Sequence, residues 1–518
     1  MDVPEQMLRL FFTVGAVVFM AVATKAITAL VVKPRRIRYM LRKQGIVGPP
    51  PSFLLGNLKE FRQCNASRVP QSPQDMTHNC SSKLFSFMDR WRAEYGSTFL
   101  MFFGNIPILY TYNMDIVREI TKCTSLDLGK PSYQFKKIGP LLGHGVLTSN
   151  GAASAHQRKI IAPELYLDKV KANKLGMIGL IVESSVSLLD SWNQMIQEQA
   201  GKIDITIDKH MSCFSAEVIS RACFGSNYAK GEEIFLRLRR LEEVLLKNVM
   251  SSGFSNLKYI PSRRNREIWR MEKEVRSLIL DVVNERSRLA TSENDLLQMI
   301  LEGVKSSDFS RAEMDRFIVD NCKNIYLAGY ETTAVSATWT LMLLASSPKW
   351  QHKVRDEVTE VCGGKLPDAT AIGKMKVLAM VINESLRLYP PATIISREAL
   401  EEMRLGDVNV PKGITMWALA VSMHQDPEFW GPDAEQFNPE RFVNGVRGAC
   451  KLPHVFMPFG VGPRVCLGQN LAILELKIII AMIISKFSLS LSPRYKHSPI
   501  MRLILEPEYG VDLIVEAL

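Results

Sequence analysis

No CxxC pair occurs in this 518-residue chain, and its nine cysteines, at 64, 80, 123, 213, 223, 322, 362, 450 and 466, are an odd number. Such a pattern supplies neither a disulfide framework nor the paired ligands of a zinc site, and it fits a reducing compartment. There is no internal repeat, and after residue 60 no Gly/Ser linker and no low-complexity tract. That excludes a solenoid and a string of separately linked domains. Length alone would suggest about three domains. Helical patterns nevertheless follow one another with only short breaks, so the reading is one large body, mainly α with a minor β part. The net charge is +11, but six of those charges are juxtamembrane, and removing them leaves +5. A modest, dispersed excess is no nucleic-acid signature.

What is present begins with an apolar run, Leu10 to Val32, interrupted by the single charge Lys25. Its length suffices to cross a bilayer. Lys33, Arg35, Arg36, Arg38, Arg42 and Lys43 follow without an acid, which places the chain after residue 33 in the cytosol and suits anionic headgroups. A cleaved signal peptide is the rival, through the cleavage-like Ala21-Val-Ala23. The n-region is poor in positive charge and the apolar run continues past it. The expected division is therefore a lumenal 1–9, a transmembrane anchor 10–32, a basic segment with a proline-rich hinge 33–52 (Gly48-Pro49-Pro50-Pro51), and a catalytic domain 53–518. Asn65-Ala-Ser67 and Asn79-Cys-Ser81 match the glycosylation pattern and are expected to be unused on a cytosolic domain.

Periodicity locates the main helices. Ile268, Met271, Val275, Leu278 and Val282 recur at three-to-four spacing across 267–286. Residues 471–487 are apolar almost all round, which predicts burial. A long pattern runs from about Arg311 to Ser346, opened by the capping box Ser310/Glu313 and stopped at Pro348. Its length would be roughly 50 Å. Mid-way it carries Ala328-Gly329-Tyr330-Glu331-Thr332-Thr333, where glycine and β-branched residues are costly for a helix. A local opening, with Thr332 bonding a backbone carbonyl, would account for them. β-like runs lie at 98–112, 394–410 and the C-terminus.

The most informative stretch is Phe459-x-x-Gly462-x-Arg464-x-Cys466-x-Gly468, directly before the apolar helix. A thiolate at a helix start is stabilised by free N–H groups and the helix dipole. Two glycines would let the backbone approach something flat and large, and Arg464 would pair with an acid on it. A haem fits, its iron held by the sulfur. With this loop the chain resembles the haem-thiolate cytochrome P450 monooxygenases over residues 45 to 518. Glu384-Ser-Leu-Arg387 and Pro439-Glu440-Arg441-Phe442 match two further motifs in the order that family requires. The resemblance implies a structural Glu384–Arg387–Arg441 triad. It implies Cys466 as axial ligand of haem b, and Ala328, Gly329, Phe459, Gly462 and Gly468 beside the haem. It also implies that Arg158, Arg397 and Arg464 pair with the propionates. Glu331 and Thr332 match the acid–alcohol pair that delivers protons to bound oxygen. Where the family carries tryptophan four residues before Arg158, this chain has Ser154, which offers no indole N–H; weaker haem retention is expected, restored by Ser154→Trp.

The same resemblance implies O2 as co-substrate and electrons from NADPH through a separate NADPH–cytochrome P450 reductase. It implies a single-pass location in the endoplasmic reticulum membrane and a small hydrophobic substrate. An isomerase or dehydratase acting on peroxides, and a haem sensor or carrier, are the alternatives. Members of the former typically lack the acid–threonine pair present here. The segments 328–340, 388–397 and 424–430 look like a plant clan that oxidises hormones and isoprenoids. Those at 126–132, 146–163 and 219–226 look most like its gibberellin-modifying branch, which implies a tetracyclic diterpenoid acid. Brassinosteroid, cytokinin and fatty acid remain open. Tyr326, Leu327, Ile394 and Ile395, with Ala328, Glu331 and Thr332, are the expected pocket lining.

Overall fold

The long helix, Arg311–Ala345, is the axis of the molecule. Ser310 accepts from the Glu313 N–H while the Glu313 carboxylate accepts from the Ser310 N–H, so the expected capping box closes both ways. From Phe317 onward nearly every side chain is buried, because neighbouring helices surround it. The helix Ile207–Phe224 packs along its length, and the apolar helix Gln469–Lys486 lies on another side. The latter is buried almost all round, as its composition requires. The expected opening at 328–333 does not occur: the helix runs on without a break. Only the side-chain half of that expectation is present, Thr332 Oγ1 donating to the Ala328 carbonyl at 2.7 Å. A back-bonded hydroxyl can tilt a carbonyl without unwinding the turn.

The computed structural model describes residues 3–165, 176–199, 201–225, 228–246, 261–289, 295–305 and 309–518. The architecture is mainly α with minor sheets. The hairpin Thr98–Phe103/Ile106–Thr111 continues in parallel into Thr415–Leu419, then antiparallel into Ile394–Ala399 and Leu128–Gly129. The C-terminal strand Asp512–Ala517 pairs with Phe487–Leu491 and with Lys202–Thr206. That last strand, Lys-Ile-Asp-Ile-Thr, alternates polar and apolar residues, but five residues with two charges are too short a run to stand out. The 267–286 pattern is the helix Arg263–Leu289.

The N-terminal helix Val3–Ile27 continues through a π-helical turn, Thr28–Val32, into Lys33–Arg42. The stretch from Leu10 is long and apolar enough to cross a membrane and is unburied, with Phe11 and Phe19 exposed. The boundary at residue 53 needs correction. Ile37 and Leu41 are buried in a small core with Ile46, Leu100, Leu109 and Ile414. Gln44 exchanges two hydrogen bonds with the Asn409 backbone, at 3.0 and 2.8 Å. A Cβ on Gly48 would lie 2.1 Å from the Leu100 carbonyl oxygen. The segment 33–52 is thus part of the packed body: its basic residues face outward and its few apolar ones bind it down.

Candidate active site

Cys466 lies between the short turn Gly462–Arg464 and the helix that begins at Gln469. Its N–H donates to the Phe459 carbonyl at 2.8 Å, which closes the loop. The sulfur is open at its surface yet set deep in the surrounding chain, which pushes its thiol up, while the Gly468 backbone N–H and the charge of Arg158 pull it down. The N–H aimed at sulfur is the device that stabilises a thiolate ligand. Gly462 carries a constraint of its own within the fold: it has φ +70°, and a Cβ there would sit 2.2 Å from the Thr121 carbonyl oxygen, so a neighbouring helix end already demands glycine. Gly468 has open space around it, and its N–H reaches the Cys466 sulfur.

Arg158, on the helix Gly151–Ile161, donates from Nη2 to the Val465 carbonyl at 2.7 Å, one residue from the cysteine. Arg464 donates to Ser154 Oγ and, at 3.4 Å, to the Ser149 carbonyl. Arg397, on the strand Ile394–Ala399, bonds the Ser396 carbonyl at 2.9 Å. A fourth cation joins them. Lys130, after the strand Leu128–Gly129, donates to the Val146 carbonyl. Burial first, then Arg464, Arg397 and Arg158, press its pKa down to about 7. Burial, Arg464 and Arg158 likewise bring Arg397 down to about 10. Among the described residues no carboxylate pairs with Lys130, Arg397 or Arg464. Four converging, mutually repelling cations fit a group that carries two carboxylates, and a thiolate-ready sulfur beside them fits its iron. Lys130 was missed because a single lysine after a two-residue strand has no spacing that points to an anion.

Ser154 has a task of its own. It is 1 % exposed and accepts the Arg464 guanidinium. A tryptophan there would have to displace that bond at a closed position, so the expected rescue by Ser154→Trp loses its physical basis.

Glu384 and Arg387 are fully buried and bidentate, at 2.7 and 2.8 Å. Arg387 Nη1 also donates to the His424 and Ala434 carbonyls, at 2.7 and 2.6 Å. Arg441 Nε lies 3.5 Å from Glu384, with its Nη1 on the Trp430 carbonyl at 2.7 Å. These three residues knot the segment before the cysteine loop onto the helix Lys376–Leu388.

In the middle of the long helix, Ala328, Gly329, Glu331 and Thr332 are half-buried, although most of the helix around them is fully buried. Burial and the charge of Glu242 hold the Glu331 carboxyl well above the usual carboxylate range. Gly329 faces the other way from the expected role: a Cβ would meet Ile219 Cδ1 at 2.6 Å, so glycine serves close helix packing. Tyr326 also departs from the expected pocket. It is 1 % exposed, bonded to Ser220 Oγ at 2.6 Å, and packed against Phe224 and Phe235. Tyr326 and Tyr330 share the i, i+4 face turned to the neighbouring helices. Leu327 is buried in the core, whereas Ile394 and Ile395 are half-buried on their strand.

A cytochrome P450 family model matches residues 72–515. Among similar proteins, Cytochrome P450 714C2 of Oryza sativa subsp. japonica is 45% identical over 94% of each chain. Cytochrome P450 714B2 of the same species is 46% identical, over 93% of this chain and 92% of its own. Cytochrome P450 714A2 of Arabidopsis thaliana is 42% identical over 93% of each. The chain therefore belongs to the cytochrome P450 family, as a plant haem-thiolate monooxygenase that uses haem b on a cysteine and electrons delivered from NADPH by a reductase.

Proposed function

We propose that this monooxygenase inserts one oxygen atom from O2 into a gibberellin or ent-kaurane-type diterpenoid acid, at the endoplasmic reticulum membrane, with NADPH–cytochrome P450 reductase as electron donor. The likeness of residues 126–132, 146–163 and 219–226 to the gibberellin-modifying branch supports the substrate class. The exposed apolar helix, followed by six positive charges, supports a single-pass anchor with the catalytic domain in the cytosol.

Cys466 would hold the haem iron, and Lys130, Arg158, Arg397 and Arg464 its propionates. Bound haem supplies the activation of dioxygen and the insertion of one of its atoms into a C–H bond. The chain supplies position and protons. The observation that carries this reading is a carboxyl and a hydroxyl on consecutive half-buried residues of an otherwise buried mid-helix stretch. Glu331, whose carboxyl burial and the Glu242 charge hold well above the usual carboxylate range, is the proton donor of this pair. Thr332, its hydroxyl proton engaged by the Ala328 carbonyl, presents its oxygen lone pairs as acceptors. A proton passes from Glu331 by way of the Thr332 hydroxyl toward bound oxygen. Ile394 and Ile395 supply apolar wall nearby.

The test is a product assay in microsomes with a plant reductase and NADPH. The panel is ent-kaurenoic acid, several gibberellins, a brassinosteroid and a fatty acid, read by mass spectrometry for one added oxygen. An oxygenated diterpenoid alone supports the proposal; oxygenation of the brassinosteroid or fatty acid instead overturns the substrate class. Thr332→Ala should leave substrate binding near normal while reducing equivalents end in peroxide. Tight coupling in that variant would remove Thr332 from the proton path.

A further inference from the structure

Glu331 does not stand alone. Near the end of the helix Tyr228–Leu246, Glu242 brings a second carboxyl against it. Glu242 is 4 % exposed, so its charge is almost wholly removed from water. Its Oε2 accepts the Tyr330 hydroxyl at 3.2 Å. Its Oε1 is buried and receives no donor from any other described group. The Glu331 carboxyl lies within hydrogen-bonding reach of the Glu242 carboxyl. Two ionised carboxylates offer acceptors only, so this contact is a repulsion unless a proton lies in it. An acid O–H on Glu331 turns it into a hydrogen bond and gives the Glu242 carboxylate the donor it lacks.

We propose that Glu242 and Glu331 share a single proton, and that Glu242 is the positioning residue that keeps this proton on Glu331. The donation from Tyr330 decides which partner holds it. A hydroxyl hydrogen bond stabilises the ionised form of Glu242, and the proton resides on Glu331. Burial is the leading cause that raises both carboxyls, and the Glu242 charge raises Glu331 further. Arg239, one turn before Glu242, acts the other way, whereas Glu506 reinforces the rise, muted by its pairing with Arg502. The pair carries net charge −1. When its proton leaves toward Thr332 the charge becomes −2, two buried carboxylates repel, and a solvent proton restores the resting state.

The proposal deepens the Glu331–Thr332 reading, and the two can fail separately. The pair is tested in the resting, full-length holoenzyme by infrared difference spectroscopy of the protonated-carboxyl C=O stretch across pH. The expected wild-type band persists well above the ordinary carboxylate range of about pH 4 and shifts in deuterium oxide. Glu242→Gln offers Glu331 an N–H donor in place of a charge, so the Glu331 component, isolated as wild type minus variant because buried Glu475 gives a band of its own, titrates at lower pH than in wild type while burial still raises it. In turnover, product formed per NADPH by Glu242→Gln should fall about tenfold or more above neutral pH and recover toward acid. A merely structural role would not produce that profile. No pair component in the wild-type-minus-variant spectrum, a titration that Glu242→Gln leaves unmoved, or unchanged coupling at every pH overturns the proposal. Should Glu242→Gln fail to fold, Tyr330→Phe keeps the ring against Phe235 and removes only the donor to Oε2; an unmoved band there also overturns the pairing. Thr332→Ala reports on the proton path alone.

Discussion

Lys130 gives the sharpest quantitative test of how this chain holds haem. In the haem-free fold its pKa is about 7, against 10.5 in an exposed lysine. The difference corresponds to about 5 kcal/mol of disfavoured charge. Between those two values the unfolded chain binds the proton and the folded one does not. The haem-free fold therefore gains stability as pH rises through that window and carries the full penalty below about pH 7. Two propionates placed among Lys130, Arg158, Arg397 and Arg464 reverse the sign of the local field and return the ammonium to its charged form. At pH 8 only about one-tenth of Lys130 is protonated in the haem-free fold, so haem binding should draw in about 0.9 proton at this residue. Cys466 releases a proton as it ligates, so the informative quantity is a difference between proteins. Haem titration of the apoprotein in weak buffer with a pH indicator should show Lys130→Met taking up about 0.9 proton fewer per haem than wild type at pH 8. The variant should also lose haem to apomyoglobin about tenfold to a hundredfold faster, the worth of one charge-assisted hydrogen bond. Equal proton uptake by the two proteins would refute the argument, since Lys130 would then not respond to the propionates.

Two further outcomes concern the scaffold. Glu475 is buried in the apolar helix, where it accepts from Ser215 Oγ at 2.6 Å, and burial pushes its pKa up to about 8. Its contribution to stability is greatest below the unfolded value near 4.5 and is lost as pH rises toward 8. Glu475→Gln should flatten the fall in melting temperature between about pH 5 and about pH 8 and raise stability at neutral pH by about 2–3 kcal/mol. Deleting residues 1–32 should leave the melting temperature of the haem-loaded protein nearly unchanged. Deleting 1–42 uncovers the seat of Ile37 and Leu41 and should cost about 3–6 kcal/mol; equal melting of the two truncations would show that the segment does not dock.

The parts of this molecule that were legible in the sequence share one property: their information is local. The cysteine loop, the capping box at Ser310, the i, i+3 pair Glu384–Arg387 and the apolar helix after Cys466 each occupy a short window whose spacing fixes a geometry. The errors arose where a residue's reason lies across the fold. Gly329 reads as a site for oxygen, yet what excludes a Cβ there is Ile219 on another helix. Gly462 reads as clearance for a flat ligand, and nothing in its window shows that the Thr121 backbone also demands glycine there. Tyr326 reads as pocket wall because it precedes the acid–alcohol pair, but five residues of helix rotate it about 140° from Glu331, toward Ser220. Residues 33–52 read as a hinge because charge and proline dominate them, although Ile37, Leu41 and Ile46 are buried in a packed core. Lys130 and Glu242 are the extreme cases. Each is an ordinary residue in its own segment, some 330 and 90 positions from partners such as Arg464 and Glu331, and only the field of those partners makes it chemically distinct. Burial sets the cost of a charge, and burial is decided by what packs on the residue from elsewhere. The groups whose protonation state is most perturbed are therefore among the least visible to any reading by window, and they are the ones on which haem retention and proton supply are expected to turn.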